Sequence, residues 1–142
     1  MTITFFGHRD TPAYVQTVLE NTIKRLLASY PHLHFLIGNQ GAFDNMALRT
    51  VADLAKCYPQ ITYDVVLAYL PQGKTTIPHS IYPEELEEVP KRFAISKRNN
   101  WLIAKSDGAI AYVIRSYGGA AQTKRIAERK GMPIYNLADI VD

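Results

Sequence analysis

Five short apolar runs, spaced by helix-length segments, leave this chain few folds to choose from. Ile3–Phe6, Leu33–Ile37, Ile61–Leu70, Ala109–Ile114 and Pro133–Leu137 are nearly continuous in apolar residues. A strand with one wet face alternates polar and apolar positions, whereas a strand buried on both faces, as in a parallel sheet, does not. Between the first two runs, Val15, Leu19, Ile23 and Leu26 recur at helical spacing, with Pro12 near the start and Pro31 beyond the end. Further helices are predicted over about 42–57, 94–105 and 121–130. Ala47, Val51, Leu54 and Ala55 form the inner stripe of the first of these, and Gly131 with Pro133 stops the last. The alternation predicts a Rossmann-like three-layer α/β/α fold with a mostly parallel sheet of about five strands and right-handed crossovers. Residues 1–142 read as one domain of ordinary size.

The interval 71–90 breaks the rhythm with four prolines and little periodicity. It is expected to be an irregular loop, serving as a lid or as the contact of a homo-oligomer, with Glu84–Glu88 forming one helical turn. No apolar run approaches the roughly 20 residues that span a bilayer, so no membrane partner is expected. Met1–Phe6 reads as a strand and not as a signal peptide. The single cysteine, Cys57, excludes an internal disulfide and is expected to be a small buried hydrophobe, which points to a cytoplasmic protein. The net charge of +3 is mild, and its asymmetry, acidic at Glu84–Glu88 and basic at Lys91-Arg92, Lys97-Arg98 and Lys124-Arg125, permits an anionic small ligand. It falls short of a nucleic-acid-binding composition, so a nucleic-acid partner is not expected.

In open parallel sheets, ligands bind beyond the carboxyl ends of the strands. Three glycine-bearing turns fall there: Gly7-His8-Arg9-Asp10, Gly38-Asn39-Gln40-Gly41-Ala42-Phe43-Asp44 and Ser116-Tyr117-Gly118-Gly119-Ala120. The latter two open into helices, whose first N–H groups and positive dipole end favour a phosphate. Glycine lets the phosphate approach the backbone. Standard cofactor motifs are absent: there is no GxGxxG, so no dinucleotide cofactor is predicted. Gly73-Lys74-Thr75 fails as a P-loop, because Ala68 stands where the first glycine belongs and Pro78 blocks the following helix. His32, His34 and His79 lack metal-ligand spacing, and no metal site is predicted.

Phe6-Gly7-His8-Arg9 resembles the opening of the YpsA-like (DUF1273) proteins. Arg98-Asn99-Asn100-Trp101-Leu102-Ile103 with Ser106-Asp107 is similar to their RNxWMV…SD segment, and Tyr117-Gly118-Gly119-Ala120 with Thr123 resembles their glycine turn. Gly38, Gly41 and Asp44, spaced GxxGxxD, resemble with one extra residue the GxxGxD of the wider SLOG superfamily, which includes the DNA-processing DprA (Smf) proteins and the cytokinin-activating LOG enzymes. The resemblance runs over nearly the whole chain and implies a Rossmann-like fold with a nucleotide-related ligand. It breaks where the LOG turn carries a glutamate: Gln122-Thr123-Lys124-Arg125 supplies Lys124 and no carboxylate. Cleavage of an N-glycosidic bond needs a carboxylate to stabilise the oxocarbenium-like state or to activate water.

A nucleotide or another phosphorylated small molecule is therefore the expected ligand. Gly118, Gly119 and Ala120 would hold its phosphate, and Arg98 with Arg9 would neutralise it. Gly38, Gln40, Gly41 and Asp44 would face its sugar or base, with Gly7, His8, Asn39, Asn99, Tyr117 and Thr123 completing the set. No catalytic residue is assigned. For Trp101 and Tyr117, residue type alone favours core packing over stacking on a base. The expected function is a sensor or carrier. The alternatives are an N-glycosidic hydrolase using Asp10, Asp44 or Glu84–Glu88 as its carboxylate, and a DprA-like single-stranded DNA module, which needs a basic track interleaved with exposed aromatics.

Overall fold

The computed structural model describes residues 1–71 and 76–140; Gly73-Lys74-Thr75 and the adjoining part of the 71–90 interval lie outside the described residues. The strands are β1 (Thr2–Gly7), β2 (Leu33–Ile37), β3 (Ile61–Val66), β4 (Ser80–Ile81), β5 (Gly108–Tyr112) and β6 (Ile134–Asn136). The helices are α1 (Val15–Ser29), α2 (Ala42–Cys57), α3 (Ala94–Lys105) and α4 (Gly119–Lys130), with 3-10 turns at Glu84–Leu86, Lys91–Phe93 and Leu137–Asp139. The sheet runs β4-β3-β2-β1-β5-β6 and every neighbouring pair is parallel. The strand order reverses between β1 and β5, so the chain has a Rossmann-like switch point there.

Central β1 explains the two-sided core. Successive side chains of a strand point to opposite faces, so Phe5 joins Leu19, Ile23, Phe35 and Val51 on the α1/α2 side, while Phe6 meets Ile103, Ala121 and Ala127 on the α3/α4 side. A smaller cluster of Leu36, Val66 and Leu102 seats α3 on β2 and β3, with Trp101 packed against it. All the strands point their carboxyl ends to one edge, and the turns after β1, β2 and β5 gather there.

The predicted α/β class holds, with local corrections. Among the described residues the sheet has six strands, because β4 lies inside the interval read as irregular. Two residues carry no hydrophobic pattern, and β4 is defined by backbone bonds from Val65 to His79 and from Leu67 to Ile81. β3 ends at Val66, short of the predicted Leu70; Leu67 and Ala68 continue into the core while Leu70 turns out to solvent. The helical turn within Glu84–Glu88 is present as Glu84–Leu86, pinned by buried Leu86. Cys57 is exposed, not buried, because the last residue of α2 faces away from the sheet. Among the described residues, no helix is long and apolar enough to cross a membrane.

Candidate functional site

A cavity of about 370 Å³ opens at the carboxyl edge of the sheet, beside the switch point. The β1 turn forms one wall with Gly7, His8, Arg9 and Asp10. Gln40 and Asp44 close a second side, α3 supplies Ile95, Arg98, Asn99 and Leu102, and Arg115 leads into the start of α4.

The start of α4 is built to be open. Gly118 adopts φ 92° and ψ 175°, a conformation that essentially only glycine holds without strain. Among the described residues no side chain caps the helix, and its first turn carries no acidic residue. Among the described residues, no acceptor takes the N–H groups of Gly119, Ala120 and Ala121. A Cβ placed on Gly118 or Gly119 would meet no atom within 4 Å. Unpaired N–H groups and the positive end of the helix dipole thus face the cavity. Thr123 does not point a free hydroxyl there, since its Oγ1 donates back to the Gly119 carbonyl at 2.9 Å.

The start of α2 has the same backbone and a different environment. Gly41 adopts φ 93° and ψ 179°, yet the Ala42 N–H donates to the Arg9 carbonyl at 3.0 Å. Asp44, in the first turn, is buried, and its Oδ2 accepts the Gln40 N–H at 2.9 Å. A Cβ on Gly38 would come within 2.7 Å of Asp44 Oδ2 and 3.0 Å of Arg98 Cζ. Gly38 is therefore the clearance through which this carboxylate and this guanidinium approach one another. Arg98 is only 2% exposed; its Nη1 donates to the Val66 carbonyl and its Nε to Asn99 Oδ1, each at 3.0 Å. Burial pushes the Asp44 carboxyl up to about 6, against the opposing pull of Arg98, the Gln40 N–H and Arg9. Burial also lowers Arg98, with Asp44 raising it. Both directions mark two charged groups that are costly to desolvate and that act on each other through space.

Two contacts tie the β1 turn to the turn after β5. Buried His8 accepts the Ile114 N–H at Nε2 (3.0 Å), which requires the neutral ring. Burial first, and then Arg115, lower its pKa, while Asp10 raises it. Asp10 grips Arg115 through both oxygens, at 2.7 and 3.1 Å. That hydrogen bonding is the main cause holding Asp10 down at about 2. Arg115 Cζ also lies 5.8 Å from the centre of the Tyr117 ring. Tyr117 is 69% exposed, so the core-packing expectation for it is overturned: its turn stands above the sheet, out of reach of both cores. Trp101, by contrast, does pack.

The cavity brings together Gly7, His8, Arg9, Gln40, Asp44, Arg98, Asn99, Tyr117, Gly118, Gly119, Ala120 and Thr123. Gly38, Asn39 and Gly41 do not line it. Gly38 and Gly41 act as backbone clearances, a Cβ on Gly41 falling 2.9 Å from Arg9 Cα. Asn39 carries a buried Oδ1 with no hydrogen-bond partner among the described residues. Sequence reading missed Arg115 as a partner of Asp10, and the apolar floor of Phe6, Ile95 and Leu102. Arg115 lies one residue past the predicted end of its strand, which was signal enough to place it on the rim. Among the described residues, no group of three or more His, Cys, Asp or Glu side chains could hold a metal ion.

Fold and cavity together define a Rossmann-like α/β chain with a switch-point site. The solved structure of DNA processing protein A from Helicobacter pylori, described for its unique mode of binding single-stranded DNA, is similar to it with a TM-score of 0.59 at 16% identity. The match covers 94% of this chain and 63% of that one, less than two thirds of the other chain, and it is a likeness of fold. It supports the Rossmann-like fold and does not reach the YpsA-like subdivision. No family model matches the chain, and no curated protein matches it in sequence. The argument from net charge against a nucleic-acid partner is corrected by this finding, because a protein of the same fold binds single-stranded DNA. A whole-chain charge conceals local asymmetry: residues 91–130 hold ten of the 16 lysines and arginines and only two of the 13 acidic residues.

Proposed function

We propose that this chain binds a phosphorylated small molecule of nucleotide size, with the phosphate seated on the N-terminus of α4. The observation that carries the reading is the open first turn of α4, which faces a cavity also lined by Arg9 and Arg98 and brings no carboxylate of its own. A volume of about 370 Å³ lies at the low end of the roughly 300–1,000 Å³ of small-molecule sites, which suits one nucleotide unit better than a dinucleotide. Binding without turnover follows from the carboxylates. Asp10 is committed to Arg115 and no acidic residue stands in the first turn of α4. The rival reading, an N-glycosidic hydrolase, has Asp44 as the one buried carboxylate at the cavity among the described residues.

Calorimetric titration with inorganic phosphate, ribose 5-phosphate and nucleoside monophosphates tests the seat; saturable binding that disappears in Gly119→Asp supports it. Chromatography of the same mixtures for free base separates the rivals. Sustained release that is lost in Asp44→Asn makes the chain an enzyme.

A second reading, single-stranded DNA binding, is favoured by the fold likeness and by the basic 91–130 stretch. It requires oligonucleotide affinity that falls steeply as salt rises.

A further inference from the structure

Packing does not account for Tyr117. Its ring is 69% exposed, it belongs to none of the three hydrophobic clusters, and among the described residues its hydroxyl has no hydrogen-bond partner. A large ring in a turn, unsupported by the core, stands where something else can cover it. That place is the mouth of the cavity, directly before Gly118 and two residues before the first unpaired N–H of α4.

Arg115 adds the second surface. Its guanidinium lies 5.8 Å from the Tyr117 ring centre, and Asp10 reaches from the β1 turn to hold both of its terminal nitrogens. Two parallel bonds fix the plane of the guanidinium, and the carboxylate compensates its charge. An arginine held this way offers an oriented flat face in place of a free charge for a second anion. Among the described residues, Arg9 and Arg98, which also line the cavity, make no such bidentate pair. The cavity thus has a phosphate end at the start of α4 and a flat aromatic–guanidinium surface beside it.

Resting on the proposed phosphate seat, we infer that Tyr117 and Arg115 form a stacking site for a planar aromatic ring. The ligand is then a nucleoside monophosphate unit and not a sugar phosphate. Stacking of a base on an aromatic side chain is lost on alanine substitution by about 5- to 150-fold in affinity. Tyr117 is the specificity-determining residue and should be separable from the phosphate seat.

The 142-residue chain is titrated calorimetrically with ribose 5-phosphate, AMP and UMP. AMP binds at least about tenfold tighter than ribose 5-phosphate, and UMP falls between them because its ring is smaller. Tyr117→Ala removes the preference for AMP and leaves ribose 5-phosphate binding unchanged, while Tyr117→Trp keeps it and shows indole emission quenched on AMP addition. Because Tyr117 packs against neither core, all variants retain the parent thermal midpoint. A short 5′-phosphorylated oligonucleotide that binds tighter than AMP identifies a strand end as the source of the ring; equal or weaker binding identifies the free nucleotide. Equal affinity for AMP and ribose 5-phosphate, or unchanged AMP affinity in Tyr117→Ala, overturns the stacking site alone. Failure of every phosphate compound to bind overturns the phosphate seat with it.

Discussion

The first turns of α2 and α4 begin alike and are put to opposite uses. Each follows a parallel strand, each is entered through a glycine near φ 92° with an extended ψ, and each sits at the same edge of the sheet. In α2 the leading N–H is consumed by the Arg9 carbonyl, and Asp44 brings a carboxylate that answers the helix dipole from within. In α4 neither happens. A glycine turn entering a helix is therefore not a ligand site in itself. What decides is whether the chain already supplies acceptors and negative charge to that helix end.

The contrast can be broken experimentally, and the largest effect should come from Arg98. If the α2 end is a closed structural unit, Arg98→Ala takes from buried Asp44 the strongest of the charges that favour its ionised form and strands the Val66 carbonyl. Chemical denaturation at pH 8 should then show a loss of about 3–5 kcal/mol. Restoration of part of that loss in Arg98→Ala/Asp44→Asn would measure the coupling between them. A variant as stable as the parent would make Arg98 a pure ligand residue and dissolve the distinction between the two helix ends.

Gly119→Asp makes α4 resemble α2. Its new side chain enters open space, so the fold is spared, and a carboxylate at a helix N-terminus should stabilise by roughly 0.3–1 kcal/mol. Phosphate-bearing ligands should lose at least about 100-fold in affinity, since charge-assisted hydrogen bonds of roughly 1.5–3 kcal/mol are replaced by repulsion. Retained affinity in a calorimetric titration would move the anion away from α4.

The pH dependence of Asp44 gives a comparable signal. Its carboxyl is raised from 3.8 to about 6 in the fold, so the native state favours the protonated form. The stability Asp44 contributes is complete below about pH 4, falls as pH rises towards 6, and is gone above it. Asp44→Asn removes that slope. Between pH 4 and pH 8 the variant should gain on the parent by about 2–3 kcal/mol, read from paired urea melts. Parallel pH profiles would show that Asp44 is solvated and that the α2 end is open after all.

The smallest effect distinguishes the two entry glycines. Alanine at either position bears strain of about 1–3 kcal/mol from its positive φ. Only at Gly41 does the added Cβ also strike backbone, at Arg9 Cα. Gly41→Ala should therefore melt lower than Gly118→Ala; equal midpoints would show that Gly41 is not needed as clearance for the Arg9 backbone.

Much of this was legible in the sequence because the relevant signals are local. Continuous apolar runs marked strands buried on both faces, the spacing of Val15, Leu19, Ile23 and Leu26 marked α1, and the bounds of α2 and α3 fell where the pattern placed them. Glycines after strands marked the rim, and most of the residues named there line one cavity. Tertiary structure decided what periodicity cannot carry. β4 exists only through the backbone groups of β3. The Asp10–Arg115 and His8–Ile114 contacts join positions 105 and 106 residues apart, and their meeting depends on β5 crossing to lie beside β1. Strand order likewise left Tyr117 outside both cores, and made Gly38 a passage between Asp44 and Arg98 in place of a phosphate contact. Propensity and periodicity are written between near neighbours, whereas burial, charge pairing and the vacancy of a helix end are properties of whatever the packed chain brings beside them.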